Sequence, residues 1–233
     1  MKPIQVDVLS AAEAKATRDK VHALRSLWFR KGGVAEFYTL GASAYLDAQY
    51  GGGLAYQMLA KKLNPVLEAQ FGDVHQRVLD KLIEVMGEPV QYYPRLARPG
   101  FHIFLADAVF ENPICKIHVD MPYSHILWQP WEQVDITRGL SFTLSLALPA
   151  GGGGLNLWPQ IPPEDALAPG ADPDLQTKGL EPLLFRYSVG SMVIHHGHTI
   201  HQIAPFRGMQ AGDERITLQG HAIHSSQGWL AYF

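Results

Sequence analysis

The chain has 233 residues, 47% of them hydrophobic and 18% charged, with a formal net charge of -3 and a single cysteine. That length and balance suit one substantial globular domain. They exclude nucleic-acid binding through a basic surface and any intramolecular disulfide, and no apolar run is long enough for a transmembrane helix.

The start, MKPIQVDVLS, shows no apolar leader, so a cytoplasmic protein with neither a membrane nor a nucleic-acid partner is expected. Cys115 reads as a small apolar strand residue. Ser10 is the expected N-cap of a first helix through AAEAKATRDKVHALRSLW, which Lys31 to Gly33 bring to an end. From Phe37 to Gly53 the pattern is ambiguous, with Leu40, Ala44 and Leu46 spaced for a short helix and a break at Gly51 to Gly53. A long helical pattern then runs to Gly87, with Pro65 starting or kinking a helix and a division near Gly72 and Asp73. His22 and His75 fall in these helices and read as solvated surface groups.

After Gly87 aromatic and β-branched residues bounded by Pro and Gly predict strands. ICKIHVDM reads as a short strand. In GLSFTLSLALPA, Phe142, Leu144, Leu146 and Leu148 alternate with Ser and Thr, which predicts a strand with one buried face. Gly151 to Gly154 turn the chain into LNLW, and residues 160–181, rich in Pro, Asp and Gly, read as an extended loop or lid that Trp158 begins. LLFRYSV, GSMVIHH, IHQIAP and RITLQGHAI complete the set. The expectation is therefore an α+β single domain. Residues 1–90 are helical and pack on one sheet, and residues 91–233 form a jelly-roll or double-sheet barrel of about eight strands.

His118 and Asp120 lie two apart on a predicted strand, so both side chains leave the same face. Alone, that spacing is unremarkable in a chain with 11 His and 22 acidic residues. Downstream, GSMVIHHGHTIHQIAP delivers His201 into a strand, and Arg215 and Thr217 follow on one face of another. Two imidazoles and a carboxylate make the facial triad of non-haem Fe(II) oxygenases, which leaves positions for a chelating 2-oxoacid and for O2. A co-substrate with a second carboxylate needs a cation at its far end. Arg215 supplies a planar charged fork, and Thr217 a hydroxyl.

The order His118-Val119-Asp120, His201, Arg215-Ile216-Thr217 resembles the 2-oxoglutarate/Fe(II)-dependent oxygenase superfamily over about residues 91–233. The resemblance implies a double-stranded β-helix (a jelly-roll or cupin-like core), Fe(II) as cofactor, and 2-oxoglutarate and O2 as co-substrates. It implies a small-molecule substrate, of the amino-acid or natural-product type, hydroxylated at an unactivated C–H with release of succinate and CO2. Relatives that halogenate have a small residue at the carboxylate position, which Asp120 fills here. His195, His196 and His198 read as packing groups or as groups that orient a ligand, His221 and His224 as structural or exposed, and Arg207 as a loop residue. Candidate substrate contacts are His102, Tyr123, His125, Trp128, Trp131, Arg138 and Trp158. Two other readings stand beside this one: a JmjC-like hydroxylase of protein side chains, and a cupin-like binder of metal or small molecules without turnover.

Overall fold

A computed structural model describes residues 2–31, 33 and 35–233. Its first strand, β1 (Ile4–Asp7), leads into α1 (Ala11–Ala23). Ser10 caps α1 as expected: its hydroxyl accepts from the Glu13 amide while the Glu13 carboxylate accepts from the Ser10 amide, satisfying two otherwise unpaired donors. The helix stops earlier than the pattern suggests, and the Gly32 of the expected stop lies outside the described residues. Two short strands follow, β2 (Phe29–Arg30) and β3 (Phe37–Leu40), then a π-helical turn at Ala44–Ala48.

Helix α2 spans Gln49–Met86. Its one break is at Gly52, whose φ of 77° only glycine adopts without strain. Neither Pro65 nor the Gly72-Asp73 pair divides it. Gly87, left-handed at φ 65°, ends it.

The remaining strands are β4 (Val90–Tyr92), β5 (Gly100–Leu105), β6 (Asp135–Ala147), β7 (Gly154–Leu157), β8 (Leu183–Arg186), β9 (Ser191–His196), β10 (His201–Ile203), β11 (Glu214–Ser225) and β12 (Gly228–Tyr232). Among the described residues they build two sheets. The larger has nine strands in the order β1-β9-β6-β11-β5-β3-β2, with β12 paired to β11 beyond β5 and β4 paired in parallel to β12. The smaller is β10-β7-β8. The first ninety residues are thus not purely helical, since β1, β2 and β3 all join the larger sheet and β1 pairs with β9 across most of the chain.

Strand alternation sorts the larger sheet into two faces. Leu140, Leu144, Phe101, Ile103, Ile216 and Leu218 form one core with Ala14 and Val21 of α1 and Phe71, Val74, Val78 and Leu82 of α2. Burial of each large side chain there contributes roughly 1.5–3 kcal/mol. The other face of β6 holds Ser141, Thr143 and Ser145. These are buried rather than solvated as the alternation predicts, because that face looks into the molecule toward the smaller sheet. His75 is likewise buried, its Nε2 2.9 Å from the Pro99 carbonyl, and His22 pairs with Glu214 at 2.8 Å; neither is a free surface group. Among the described residues no helix is long and apolar enough to cross a membrane.

Candidate metal centre and its cavity

His118 belongs to no extended strand, contrary to the reading of ICKIHVDM. It makes a single bridge with His201: each amide donates to the other's carbonyl, at 3.0 and 2.9 Å. Two residues on, the Asp120 amide donates to the Gly197 carbonyl at 2.8 Å. These bonds tie the His118–Asp120 segment to the turn between β9 and β10. They bring His118, Asp120 and His201 together, with one donor atom from each lying within 4.8 Å of the others.

Both imidazoles are oriented by the backbone. His118 Nδ1 is 2.8 Å from the Lys116 carbonyl and His201 Nδ1 2.8 Å from the Thr199 carbonyl. A carbonyl only accepts, so Nδ1 carries the proton in each ring, and Nε2 is the atom left for a metal. Those Nε2 atoms stand 3.6 and 3.5 Å from the two oxygens of Asp120. Burial works to raise the Asp120 carboxyl, but the surrounding imidazoles of His201, His221 and His118 outweigh it and hold the group well below the usual carboxylate range. Burial pushes His201 down to about 3, so it is neutral, as a ligand must be.

Asp120 has further support. Ser141 donates to its Oδ2 at 2.6 Å, and His221 Nδ1 lies 3.0 Å from the same hydroxyl. The hydroxyl proton is committed to the carboxylate, so His221 must be the donor to Ser141. His221 is therefore part of the site, which the sequence reading missed. Of the other histidines, His195 lines the cavity beside His201, with ring centroids 4.9 Å apart, whereas His196 and His198 do not line it.

The three donors open into a cavity of about 440 Å³ between the two sheets. Arg215 lines it and is fully buried, its guanidinium 5.4 Å from the ring of Phe104 and 5.6 Å from that of Tyr187. None of its three nitrogens has a hydrogen-bond partner among the described residues. A buried, permanently charged fork without a counter-charge is strongly unfavourable, so the cavity calls for an anion of carboxylate type at this point. Three ligand atoms of the right chemistry and one orphaned guanidinium thus fit a metal and a dianionic chelator together. Thr217 is fully buried one step along the same face. Its hydroxyl accepts from Gln219 at 3.2 Å, and Gln219 rather than Thr217 lines the cavity.

The predicted substrate contacts divide sharply. His102 and His125 line the cavity. Tyr123 does not: its hydroxyl meets His198 Nε2 at 3.0 Å. Trp128 donates to the Tyr123 carbonyl and packs on Tyr93 and Tyr232, pinning its loop to the core. Trp131 is 68% exposed. Arg138 pairs with Glu88 and lies over Trp229. Trp158 is buried against Ala166 and Ile200 and donates to the Leu180 carbonyl, so it fastens the 160–181 segment. That segment holds two short helices, Pro163–Ala166 and Pro173–Gln176, and none of it lines the cavity, so it is no lid over this site.

In place of those residues the cavity wall uses Phe37, Tyr45 and Leu46 from the N-terminal third, and Met121 and Ser124 from the 3-10 turn Pro122–His125 and its approach. Tyr45 comes from the π-helical turn, and its hydroxyl lies 2.7 Å from His102 Nε2. Single π-turns are frequent at functional sites, but no sequence signal marks this one. Cys115 also lines the cavity, its sulfur 3.9 Å from His118 Nδ1, rather than being an ordinary strand residue.

No protein-family model matches the chain, and neither does any curated protein sequence. Solved structures do share its fold. An N-substituted L-amino acid dioxygenase of Burkholderia ambifaria, in complex with α-ketoglutarate, superposes with a TM-score of 0.57 at 13% identity, over 99% of this chain and 86% of that one. An oxidoreductase of the 2OG-Fe(II) oxygenase family from Burkholderia pseudomallei gives 0.51 at 14%, over 97% and 85%. The non-heme α-ketoglutarate-dependent epimerase SnoN of nogalamycin biosynthesis gives 0.50 at 14%, over 94% and 76%.

Proposed function

We propose that this chain is a non-haem Fe(II)- and 2-oxoglutarate-dependent oxygenase of the double-stranded β-helix type, acting on a small molecule. The observation that carries the reading is the unpaired, fully buried Arg215 in the same cavity as the His118, Asp120 and His201 donors. The fold likeness to structures described as 2-oxoglutarate oxygenases supports it.

In this reading His118, Asp120 and His201 hold the iron, and Arg215 receives the far carboxylate of 2-oxoglutarate. Thr217 supports that face through Gln219. The iron, when bound with the oxoacid and O2, supplies the oxidising chemistry that ends in hydroxylation, succinate and CO2. The residues of the chain supply the rest. The two backbone-bonded imidazoles keep Nε2 free, Ser141 steadies Asp120, and the Phe104 and Tyr187 rings against Arg215 exclude water from the charged end of the cavity. Hydroxylation is preferred to halogenation because Asp120 occupies the carboxylate position. A fixed arginine rather than a lysine argues against the JmjC-like reading.

The test is substrate-dependent succinate release from 2-oxoglutarate, screened against acyl, amino-acid and aromatic compounds. Asp120→Ala and His201→Ala should each abolish it, and turnover undiminished in either would remove that residue from the metal site. A non-catalytic binder would take up Fe(II) and 2-oxoglutarate without releasing succinate under any substrate.

A further inference from the structure

The charges of the cavity, counted with the ligands just assigned, constrain what else can enter. Iron(II) brings two positive charges and Arg215 one, while Asp120 brings one negative charge and 2-oxoglutarate two, so the loaded site is electrically neutral. Arg215 is the one Lys or Arg among the described residues that lines the cavity, and the residues outside the description include neither type. Lys31, nearby in sequence to the π-helical turn, is already paired with Asp47. A carboxylate or phosphate on a second ligand would therefore be desolvated without a partner, as would an ammonium group.

The rest of the wall is apolar or offers neutral hydrogen bonds. Leu46, Ile114, Val119 and Met121 supply the first, and the Tyr45–His102 pair and Ser124 the second, with the His125 imidazole beside them. Leu46 and Tyr45 come from the π-helical turn, and Ser124 and His125 from the Pro122–His125 turn that packs against it. We infer that the molecule oxidised is uncharged, with an apolar or aromatic body and hydroxyl, carbonyl or amide groups, seated between these two turns. This rests on the oxygenase reading and narrows its substrate class away from free amino acids.

The experiment uses the full chain loaded with Zn(II) and 2-oxoglutarate and measures binding by ligand-observed NMR. Matched probes are N-acetylphenylalanine with its methyl ester, and phenylpropionic acid with phenylpropanol. The uncharged member of each pair should bind about tenfold or more tightly than its acid. Ser124→Arg, at an exposed position of the wall, should narrow or reverse that preference by adding a cation. Acids that bind the wild-type protein as well as their neutral partners, or a failure of both members of both pairs to bind, would overturn the inference. Titration of 2-oxoglutarate itself comes first. If it fails to bind, the oxygenase reading falls, whereas bound 2-oxoglutarate with acids preferred overturns only the neutral-substrate inference.

Discussion

Arg215 gains its meaning from what it lacks. All three guanidinium nitrogens are buried and have no hydrogen-bond partner within range among the described residues, which leaves the fork open to a ligand. Arg215→Ala should weaken 2-oxoglutarate about tenfold or more, measured by calorimetric titration of the Zn(II)-loaded protein, with metal affinity little changed. Ser141 acts one step further back, through the carboxylate it donates to. Ser141→Ala should lower Zn(II) or Fe(II) affinity by about 10–100-fold. His221→Phe should follow it, while His221→Asn, whose amide can still donate to Ser141, should recover most of the loss. A metal affinity unmoved by Ser141→Ala would reduce the His221–Ser141–Asp120 chain to packing. The three metal-binding candidates and Arg215 were legible because type, order and spacing along the chain carry them. Ser141 and His221 were not, because a serine and a histidine on two neighbouring strands say nothing until their register is known, here His221 opposite Ser141.

At the scale of elements, β11 is the most heavily shared strand: β6 flanks one edge, and β5 and β12 follow one another along the other. Gly220 sits where that sharing is tightest. A Cβ there would lie 2.3 Å from the Phe142 ring and 3.0 Å from the Tyr232 carbonyl. Gly220→Ala should therefore cost about 1–3 kcal/mol by overpacking, read as a shift in the denaturant midpoint at constant slope. Most strands of the second half were readable from alternation and turn residues, but β12 was not among those read, and ICKIHVDM, read as a strand, supplies only the His118–His201 bridge. The early strands β1, β2 and β3 were not readable, since they are short and their partners lie far along the chain, as with Phe37 opposite Phe104. The same distance hid Tyr45 and Leu46, which enter the cavity wall because the π-helical turn reaches the cavity face of β5, where the Tyr45 hydroxyl meets His102. The loop tryptophans misled for the opposite reason: an aromatic residue beside a site serves equally well to fasten a loop, which is what Trp128 and Trp158 do.

For the molecule as a whole, buried imidazoles set the response to acid. Burial lowers His75 to about 4, with the Pro99 carbonyl only partly offsetting it, and burial likewise lowers His102, His195 and His221. In each case the folded group ionises below the unfolded value near 6.5, so the unfolded chain binds more protons as pH falls. The stability these groups contribute is intact above pH about 6.5 and is lost progressively as pH drops toward about 4; for His75 alone this is on the order of 3 kcal/mol. Thermal melts of the metal-free protein should accordingly fall steeply over that interval, and His75→Gln should flatten the dependence. Along β11, adjacent residues answer to different demands. Ile216, Leu218 and Ala222 hold the sheet to the helices, while Arg215, Gln219 and His221 face the chemistry. A replacement at Arg215 or His221 should therefore disturb the cavity while the packing of the sheet on the helices, carried by Ile216, Leu218 and Ala222, stays in place.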